Sequence, residues 1–410
     1  MRIAFLSVSG EMGGSEVSLL TLVRGLGLHR PQWTRHVVVP REGPLARDAR
    51  ASGAVVHVLP LPPALARLGE VGASGTMPRR AVRMLAAAGT LPSYRRRLAA
   101  LLAGISPDVV HTNGFKLHVL GARAAPPGAA LVWHIHEYVS SRPVSRTLLR
   151  RAVPRCAAIA ANSRSVADDL ASVTRGSVPV RVIYNAVDLD ECSPAGPAVD
   201  LDALAGLAPA APDIVRVGLV ATFGRWKGHE TFLRAMAMLP RDARIRGYVV
   251  GGPLYDTAGS QHSREELTAM ARALDVDDRV AFTGFVDRPA RALRALDVVV
   301  HASTQPEPFG LVIAEAMACG RAVVMSANAA AAEIARDGVD VLTHRPGDPA
   351  DLARAMLACA SDAGLRARLG ASARRTAEAH FDVGAFVEAF EALYAGSLNV
   401  EAAAHGVSRH

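Results

Sequence analysis

The chain has little of what marks several protein classes. It contains only four cysteines, and they are scattered, without C-x-x-C spacing or a nearby histidine cluster: Cys156, Cys192, Cys319 and Cys359. This usage argues against a structural zinc site and favours a reducing compartment. The chain also lacks a run of about 18 uncharged apolar residues, so we expect no membrane-spanning helix.

Signals for secretion and for nucleic-acid binding are missing as well. The segment Met1–Gly10 is too short in its apolar part for a signal peptide and lacks an A-x-A cleavage site, so it is better explained as a first buried strand. The formal net charge is +8, but no zinc finger, RNP-like aromatic strand or recognition helix accompanies it. Anionic small molecules or an anionic membrane surface are therefore favoured partners over nucleic acid. We expect a cytoplasmic protein.

The length and the pattern of the chain predict two α/β domains. A chain of 410 residues exceeds what one hydrophobic core usually organises. Short β-branched runs alternate with helical periods, which is typical of parallel sheets with helices on both faces. We place a first domain at 1–188, a Pro- and Gly-rich linker at 189–212 and a second domain at 213–380. The tail, residues 400–410, is predicted to be disordered.

One stretch near the end of the second domain carries the clearest chemical signal. Residues 303–320 read S-T-Q-P-E-P-F-G-L-V-I-A-E-A-M-A-C-G and follow a short buried strand. A strand, a loop and a helix in this order present backbone N–H groups and a positive helix end to an anion. Glu307 in the loop and Glu315 in the helix could then hold ligand hydroxyl groups. From the two glutamates alone, a pair of solvent-exposed side chains would be the simpler explanation.

The flanking residues of this stretch favour a binding site. The segment E-P-F-G-L-V-I-A-E-A-M-A resembles the E-x7-E signature of retaining glycosyltransferases of the GT-B fold, in particular glycosyltransferase family 4. The resemblance implies that Glu307 faces the donor sugar and that Glu315 binds the ribose hydroxyls. It also implies donor contacts at the start of the helix, from Phe309, Gly310 and Leu311.

Two segments of the first half resemble further motifs of the same family. The loop G-G-S-E, with Gly13 and Gly14, looks like the family's G-G-x-E loop near the donor phosphates, although a tight turn without chemical consequence would explain it too. The strand end V-W-H-I-H-E resembles the motif in which one histidine reaches the transferring sugar. That alignment favours His136, with His134 as the second choice. His111 ends another strand and is also well placed, because ligands bind beyond the carboxyl ends of such strands.

A basic loop opens the second half. The segment T-F-G-R-W-K-G-H suits a diphosphate leaving group because two cations stand at a strand end before a helix. It resembles the family's G-R-x-x-x-x-K-G motif, but Thr222 occupies the position that usually holds arginine. Lys227 matches the lysine of the motif directly. Arg225 either takes the role of the missing arginine or does not. A surface turn with incidental basic residues is the alternative. By resemblance, Gly252 lies near the phosphates and Phe285 and Val286 lie near the base.

The resemblance implies a complete fold and reaction. The fold would be GT-B, with two Rossmann-like domains facing a cleft and a last helix, about 381–396, returning to the first domain. The reaction would move a hexose-type sugar from a UDP- or GDP-sugar to a hydroxyl of an unidentified acceptor, with retention and without an obligatory metal. The D-L-D at Asp188–Asp190 is interpreted as a turn rather than a metal site. Other possibilities are a GT-B sugar-nucleotide epimerase and a non-catalytic sugar-nucleotide-binding protein.

A basic stretch in the first half suggests a second kind of partner. Residues 79–102 are expected to form two helices separated near Gly89 and Pro92, and they carry six arginines among apolar residues. Such a stretch can lie on an anionic membrane. A solvated helix face is the simpler alternative.

Overall fold

The chain folds into two compact units. The computed structural model describes residues 1–66, 77–140, 142–254, 259–328 and 330–405. Unit 1 contains Met1–Ala186 and the chain from Val383 onward, and unit 2 contains Val187–Asp382. Within the described ranges, each helix is too short or too polar to cross a lipid bilayer.

Unit 1 is built on a parallel sheet of seven strands in the order β3-β2-β1-β4-β5-β6-β7. The central strands are buried on both faces because helices cover both sides of the sheet. The strands are β1 (Arg2–Ser7), β2 (Thr34–Val39), β3 (Val55–Val58), β4 (Val109–Asn113), β5 (Ala130–Ile135), β6 (Ala158–Ala161) and β7 (Val180–Val182).

The helices of unit 1 bury their apolar faces in two cores, one on each side of the sheet. Ser163 caps one of them, since its side chain accepts a hydrogen bond from the Val166 backbone N–H. The helices are α1 (Gly14–His29), α2 (Pro44–Ala51), α3 (Pro63–Ala66), α4 (Met77–Ile105), α5 (Phe115–Ala124), α6 (Pro143–Ala152), α7 (Arg164–Thr174) and the last helix of the chain, α16 (Val383–His405).

Unit 2 has a parallel sheet of six strands in the order β10-β9-β8-β11-β12-β13. Its strands are β8 (Val215–Val220), β9 (Ile245–Val250), β10 (Val280–Gly284), β11 (Val298–His301), β12 (Ala322–Ser326) and β13 (Leu342–His344). Its helices are α8 (Leu201–Ala205), α9 (His229–Met238), α10 (Arg264–Ala273), α11 (Pro289–Ala295), α12 (Leu311–Ala318), α13 (Ala331–Ile334), α14 (Pro349–Ser361) and α15 (Ala363–His380). The predicted α/β class with parallel sheets is confirmed.

The basic stretch at 79–102 is one helix, not two. Helix α4 runs without a break from Met77 to Ile105 with Pro92 inside it, so the predicted division near Gly89 and Pro92 is wrong. A proline inside a helix costs about 3 kcal/mol or more. The buried face of the helix offsets this cost through Tyr94, Leu98 and Leu102, which belong to the core of unit 1.

The last helix also differs from its prediction. It begins at Val383 rather than near 381 and continues to His405, so the prediction of a disordered tail is wrong for residues 400–405. The remaining tail residues, 406–410, lie outside the described residues. Phe386, Phe390 and Tyr394 of this helix are buried in the core that also contains α1. Their burial explains why α16 packs as part of unit 1.

The predicted linker, residues 189–212, is a folded part of unit 2. It contains helix α8, whose Asp202 side chain is only 2% exposed. Asp202 accepts hydrogen bonds from the Tyr248 hydroxyl at 2.6 Å, from Arg246 at 2.7 Å and from the Ala210 backbone N–H at 2.9 Å. These bonds attach the segment to strand β9. The Pro and Gly content that suggested a linker gave no sign of this buried carboxylate.

We predict that Asp202→Ala lowers the free energy of unfolding of unit 2 by about 3–5 kcal/mol, because it leaves the buried Tyr248 hydroxyl without its acceptor and the partly buried Arg246 without its carboxylate partner. The control is Asp200→Ala on the same helix. Asp200 caps α8 through the N–H groups of Asp202 and Ala203, so its loss should cost only about 1 kcal/mol. Urea denaturation measures both, and equal losses would contradict the structural role of Asp202.

Candidate functional site

The order of the strands indicates where each unit can bind a ligand. In unit 2 the strand order reverses between β8 and β11, and in unit 1 it reverses between β1 and β4. At such a switch point the two following loops run in opposite directions and leave a crevice at the carboxyl ends of the strands. The predicted site residues of unit 2 come from the loops after β8, β9, β10 and β11. Those of unit 1 follow β1 and β5.

The β8 and β11 loops of unit 2 are in direct contact. Strands β8 and β11 pair in parallel, so their loops leave the sheet at the same edge. Gly228 has a φ of 78°, and a Cβ atom there would lie 1.9 Å from the carbonyl oxygen of Ala302. The backbone N–H of Thr304 also donates to the Trp226 carbonyl at 2.8 Å. Only glycine permits this close approach, which carries Lys227 to the β11 loop.

Lys227 and Glu307 form a largely buried ion pair. The Lys227 Nζ lies 2.8 Å from the Glu307 Oε2, and the two side chains are only 19% and 9% exposed. The same oxygen lies 3.0 Å from the Ser303 hydroxyl and 3.3 Å from the His301 Nε2. The Lys227 ammonium also lies over the Trp226 ring, 3.9 Å from its centroid. The structure thus brings together two of the predicted catalytic residues.

Glu307 and Glu315 have opposite electrostatic environments. Burial alone would raise the pKa of Glu307, but Lys227 and His301 outweigh it and hold that pKa well below the ordinary value. Glu315, one and a half turns into α12, lies beside no cation among the described residues, and burial raises the pKa of its carboxyl group to about 7. Glu307 therefore stays ionised at neutral pH, whereas Glu315 titrates close to neutrality.

The start of α12 forms one side of the same region. Gly310 is its N-cap with a φ of 85°, and Leu311 is its first residue. The first N–H groups of a helix have no partner inside the helix, and the helix dipole makes them favourable to an anion. Phe309 just before them is buried, and its ring packs edge-on against Phe381 with centroids 5.7 Å apart. This packing fixes the backbone that leads into the helix.

Two further predicted donor-binding residues meet at the ends of β9 and β10. A Cβ atom on Gly252 would lie 2.8 Å from the Phe285 ring, so that ring lies directly on the glycine. Phe285 is nevertheless 58% exposed, so much of its ring surface is open to solvent. Val286, the next residue, is partly buried. The arrangement is an exposed aromatic surface beside a close-packed backbone turn.

Arg225 does not join Lys227 at Glu307. Its guanidinium donates to both carboxylate oxygens of Glu266 at 3.2 Å and to the Gly259 carbonyl at 3.1 Å. It also lies 3.2 Å from the His262 Nδ1. The arginine is thus turned toward α10, and its catalytic role stays a prediction. Thr222, which replaces the family's arginine, is partly buried at the end of β8.

In unit 1, the predicted glycines lie at the first switch point. Gly13 is the N-cap of α1 and accepts hydrogen bonds from the N–H groups of Glu16 and Val17. Gly14, the first residue of the helix, is exposed with open space where a Cβ atom would be. Asn113 at the end of β4 donates to the Ser15 carbonyl at 3.1 Å, which joins the two loops.

His136 belongs to a buried cluster of imidazoles. Its ring centroid lies 3.9 Å from that of His134, which lies 5.3 Å from that of His111. Both ring nitrogens of His134 and of His136 are without a hydrogen-bond partner among the described residues. Burial lowers the pKa of His136 to about 3 and, together with the His136 charge, that of His111 to about 3. The cluster is therefore held neutral.

Sequence reasoning missed several residues that shape these sites. His301 and Ser303 contact Glu307, and the Tyr394 hydroxyl lies 2.7 Å from the His111 Nδ1. His301 could have been noticed as a polar residue that ends a buried strand. Tyr394 could not, because it is 283 positions from His111.

The described part of the chain contains no evident set of ligands for a resident metal ion. No group of three or more His, Cys, Asp or Glu side chains there could hold an ion. The Asp188 carboxylate accepts the backbone N–H groups of Asp190 and Glu191, as in an Asx turn.

Comparisons with known proteins agree with this architecture. The model of Glycosyltransferase Family 4 matches residues 12–191, and the model of Glycosyl transferases group 1 matches residues 211–362. The crystal structure of Anabaena HepE in complex with UDP and glucose superposes with a TM-score of 0.75 at 26% identity, covering 96% of this chain and 99% of that one. The predicted GT-B fold of two Rossmann-like domains is confirmed.

Curated relatives are similar over part of their length. The D-inositol 3-phosphate glycosyltransferase of Xylanimonas cellulosilytica is 34% identical over 228 residues, which are 53% of this chain and 52% of that protein. The lipopolysaccharide core biosynthesis glycosyltransferase LpsE of Rhizobium meliloti is 32% identical over 180 residues, 43% of this chain and 49% of that protein. The chain thus spans about half the length of the curated relatives it matches. Its first part carries a Glycosyltransferase Family 4 domain and its second part a Glycosyl transferases group 1 domain.

We predict that acid destabilises the fold through the buried histidines. A histidine with an ordinary pKa of 6.5 and a folded pKa of about 3 binds its proton more readily when unfolded. The free energy of unfolding should therefore fall as the pH drops from about 6.5 toward 3, by up to about 1.4 kcal/mol per pH unit for each histidine. His136→Asn should reduce this dependence of the unfolding free energy on pH by the contribution of one histidine.

Urea denaturation at several pH values tests this expectation. At pH 8 the His136 ring is neutral in both states, so the difference between wild type and His136→Asn at that pH measures the cost of lost packing alone, which provides the control. The same pH dependence in both proteins would contradict the assignment.

Proposed function

We propose that this chain is a retaining hexosyltransferase that moves a sugar from a UDP- or GDP-sugar to a hydroxyl of an acceptor. The observation that supports this proposal most directly is the Lys227–Glu307 pair at the switch point of unit 2, where the β8 loop meets the β11 loop that leads into α12. A cation, a fixed carboxylate and the start of a helix suit the diphosphate and the hydroxyl groups of one sugar nucleotide. The matches to the two glycosyltransferase family models support the same conclusion.

Lys227 would neutralise the leaving diphosphate. Negative charge develops on the phosphate oxygen as the glycosidic bond breaks, and a positioned cation stabilises it. The N–H groups at the start of α12, from Gly310 and Leu311 onward, would bind the same phosphates. Because Lys227 is only 19% exposed, its charge is less screened by solvent than that of a surface lysine.

The two glutamates would recognise hydroxyl groups in different ways. An ionised carboxylate only accepts hydrogen bonds, so Glu307 would bind sugar hydroxyls that donate to it. Glu315 would bind the ribose hydroxyls, and with a pKa of about 7 it can both donate and accept near neutrality. His136 would contact a sugar hydroxyl, and Gly13, Gly14 and Gly252 would approach the phosphates.

The reaction would follow a front-face route. The leaving phosphate helps to accept the proton of the acceptor hydroxyl while Lys227 and the helix N–H groups stabilise the phosphate. No side-chain nucleophile is then required, unlike the scheme of retaining glycoside hydrolases with two carboxylates.

UDP-glucose is the first donor to test, because HepE has been crystallised with UDP and with UDP-glucose. The names of the curated relatives point to different acceptors, inositol 3-phosphate and a lipopolysaccharide core, so they leave the acceptor open. A thermal-shift screen of UDP- and GDP-sugars would identify the donor, since a ligand at 100 times its dissociation constant adds about 2.7 kcal/mol of stability.

We predict that Glu307→Ala and Lys227→Ala each lower kcat by about a hundredfold or more, because each removes a group that acts on the reacting sugar or its leaving group. The exposed pair Arg234–Glu230 on α9 provides matched controls. Arg234→Ala and Glu230→Ala remove the same kinds of charge at the surface and should leave kcat unchanged. The release of nucleoside diphosphate measures transfer, and near-normal rates in either site variant would remove that residue from the mechanism.

The epimerase and the non-catalytic binding protein, the two alternative functions, predict different products. A sugar-nucleotide epimerase would convert the donor without any acceptor. A non-catalytic binding protein would bind the donor without consuming it when acceptors are present. Product analysis with and without acceptor separates all three.

We predict that full-length protein binds vesicles containing anionic phosphatidylglycerol at low salt if residues 79–102 meet a membrane. Arg95, Arg96 and Arg97 are exposed on α4, and attraction to anionic lipid is screened by salt. The side chains of residues 79–88 lie outside the described part of the chain. Vesicle flotation measures the binding, with neutral phosphatidylcholine vesicles as the control. Equal flotation with both, or none with either, would leave the basic stretch as a solvated face of a cytoplasmic protein.

A further inference from the structure

We propose that His301 is a positioning residue that, together with the Ser303 hydroxyl, fixes the Glu307 carboxylate for its ligand. This inference rests on the proposed function, in which Glu307 contacts the sugar. His301 is the last residue of β11 and is only 4% exposed. Its Nε2 lies 3.3 Å from the Glu307 Oε2 and 3.0 Å from the Ser303 hydroxyl oxygen.

Hydrogen-bond accounting assigns the protons in this group. An ionised Glu307 carboxylate can only accept, so the groups that touch it must donate. If the His301 Nε2 carried no proton, its lone pair would face the carboxylate oxygen at 3.3 Å, which is repulsive. An Nε2–H removes this repulsion and is shared between Glu307 Oε2 at 3.3 Å and the Ser303 oxygen at 3.0 Å, while the Ser303 O–H donates to the same Glu307 oxygen at 3.0 Å. His301 thus donates through its Nε2–H toward Glu307.

Three donors therefore converge on one carboxylate oxygen. They come from a lysine ammonium, a serine hydroxyl and an imidazole, and they approach from two loops and a strand end. A glutamate side chain has several rotatable bonds, and ordering it costs free energy that these donors offset. An orientation fixed before the ligand arrives lowers the cost of forming the transition state.

His301 is itself held firmly by neighbouring strands. Its backbone carbonyl oxygen lies 3.3 Å from the Ser326 hydroxyl at the end of β12 and 3.2 Å from the His344 Nε2 on β13. A donor mounted on such an anchored strand end can impose a position on the more exposed loop that follows.

The loop between His301 and Glu307 is held at its centre by two hydrogen bonds. The Asn328 side-chain amide donates to the Ser303 carbonyl at 3.1 Å and to the Gln305 carbonyl at 2.9 Å. The loop therefore keeps Glu307 near His301 without help from the imidazole. This separation of roles means that losing the imidazole should disturb the carboxylate more than the loop.

The consequences of losing the imidazole differ from those of a damaged fold. Removing a donor to the ionised form raises the pKa of Glu307, because hydrogen bonding no longer favours the carboxylate as strongly. The loosened carboxylate should lower kcat more than it raises KM, since its placement matters most in the transition state. A residue that only fills space would change neither the titration of Glu307 nor this ratio.

Four variants test the inference. His301→Leu removes the donor and keeps the bulk, His301→Gln keeps an amide donor near the Nε2 position, and Ser303→Ala removes the second donor. The matched control is Ser372→Ala, because Ser372 is also buried and also donates to a buried carboxylate, that of Asp340 at 2.8 Å. Each is assayed for nucleoside diphosphate release from UDP-glucose, or from the donor found in the screen. In parallel, the Glu307 carboxyl group is titrated by NMR in ligand-free protein labelled with ¹³C at glutamate carboxyls, with Glu307→Gln for assignment.

We expect His301→Leu to lower kcat by about tenfold or more and to move the Glu307 titration upward by about one pH unit. Ser303→Ala should act in the same direction, His301→Gln should recover most of the loss, and Ser372→Ala should change neither quantity. An unchanged Glu307 titration in His301→Leu, or a His301→Gln variant as impaired as His301→Leu, would overturn the inference.

The NMR titration needs no transfer, so it also separates two failures. If the wild type transfers no sugar while the Glu307 titration shifts as expected in the variants, the proposed function is wrong but the positioning role of His301 stands. Normal transfer with no shift in the titration would do the reverse.

Discussion

The ion pair between Lys227 and Glu307 is the interaction on which the candidate site depends. Two largely buried charges are costly to desolvate, and the cost is met only when the pair is close and further donors satisfy the carboxylate. Here the pair is 2.8 Å apart, and Ser303 and His301 supply the further donors. Such a pair adds little to stability by itself. Its value lies in keeping an ionised carboxylate and a cation fixed side by side where two loops meet.

The parallel sheet is what makes this meeting possible. Lys227 and Glu307 are 80 positions apart, yet they follow the two strands between which the strand order reverses. Because Gly228 has no side chain, the β8 loop can contact the backbone of the β11 loop. Two glutamates eight positions apart therefore differ in the direction of their pKa shift. Burial acts to raise both pKa values, but Lys227 and His301 outweigh it at Glu307.

Much of the fold could be predicted from the sequence, since β-branched runs alternating with helical periods define parallel α/β units. The E-x7-E stretch marked Glu307 and Glu315, and the basic loop marked Lys227. Contacts between distant residues could not be predicted in this way. The turn of Arg225 toward Glu266 depends on where α10 packs, and the burial of Asp202 depends on Tyr248 in a strand 46 positions away. The continuity of α4 through Pro92 likewise reflects tertiary packing that overrides local propensity.

The switch points of the two units offer different chemistry, and this difference follows from how each buries its polar groups. Unit 2 buries charges and must therefore pair them, which yields a site suited to an anion and to hydroxyl donors. Unit 1 buries His111 and His134 against the Phe390 ring of α16, and His136 packs on His134, so protonation of these rings would be strongly unfavourable. A neutral imidazole donates through one nitrogen and accepts through the other. His136, at the end of its strand, therefore has the hydrogen-bonding character that a sugar hydroxyl requires, and it keeps that character across the neutral pH range.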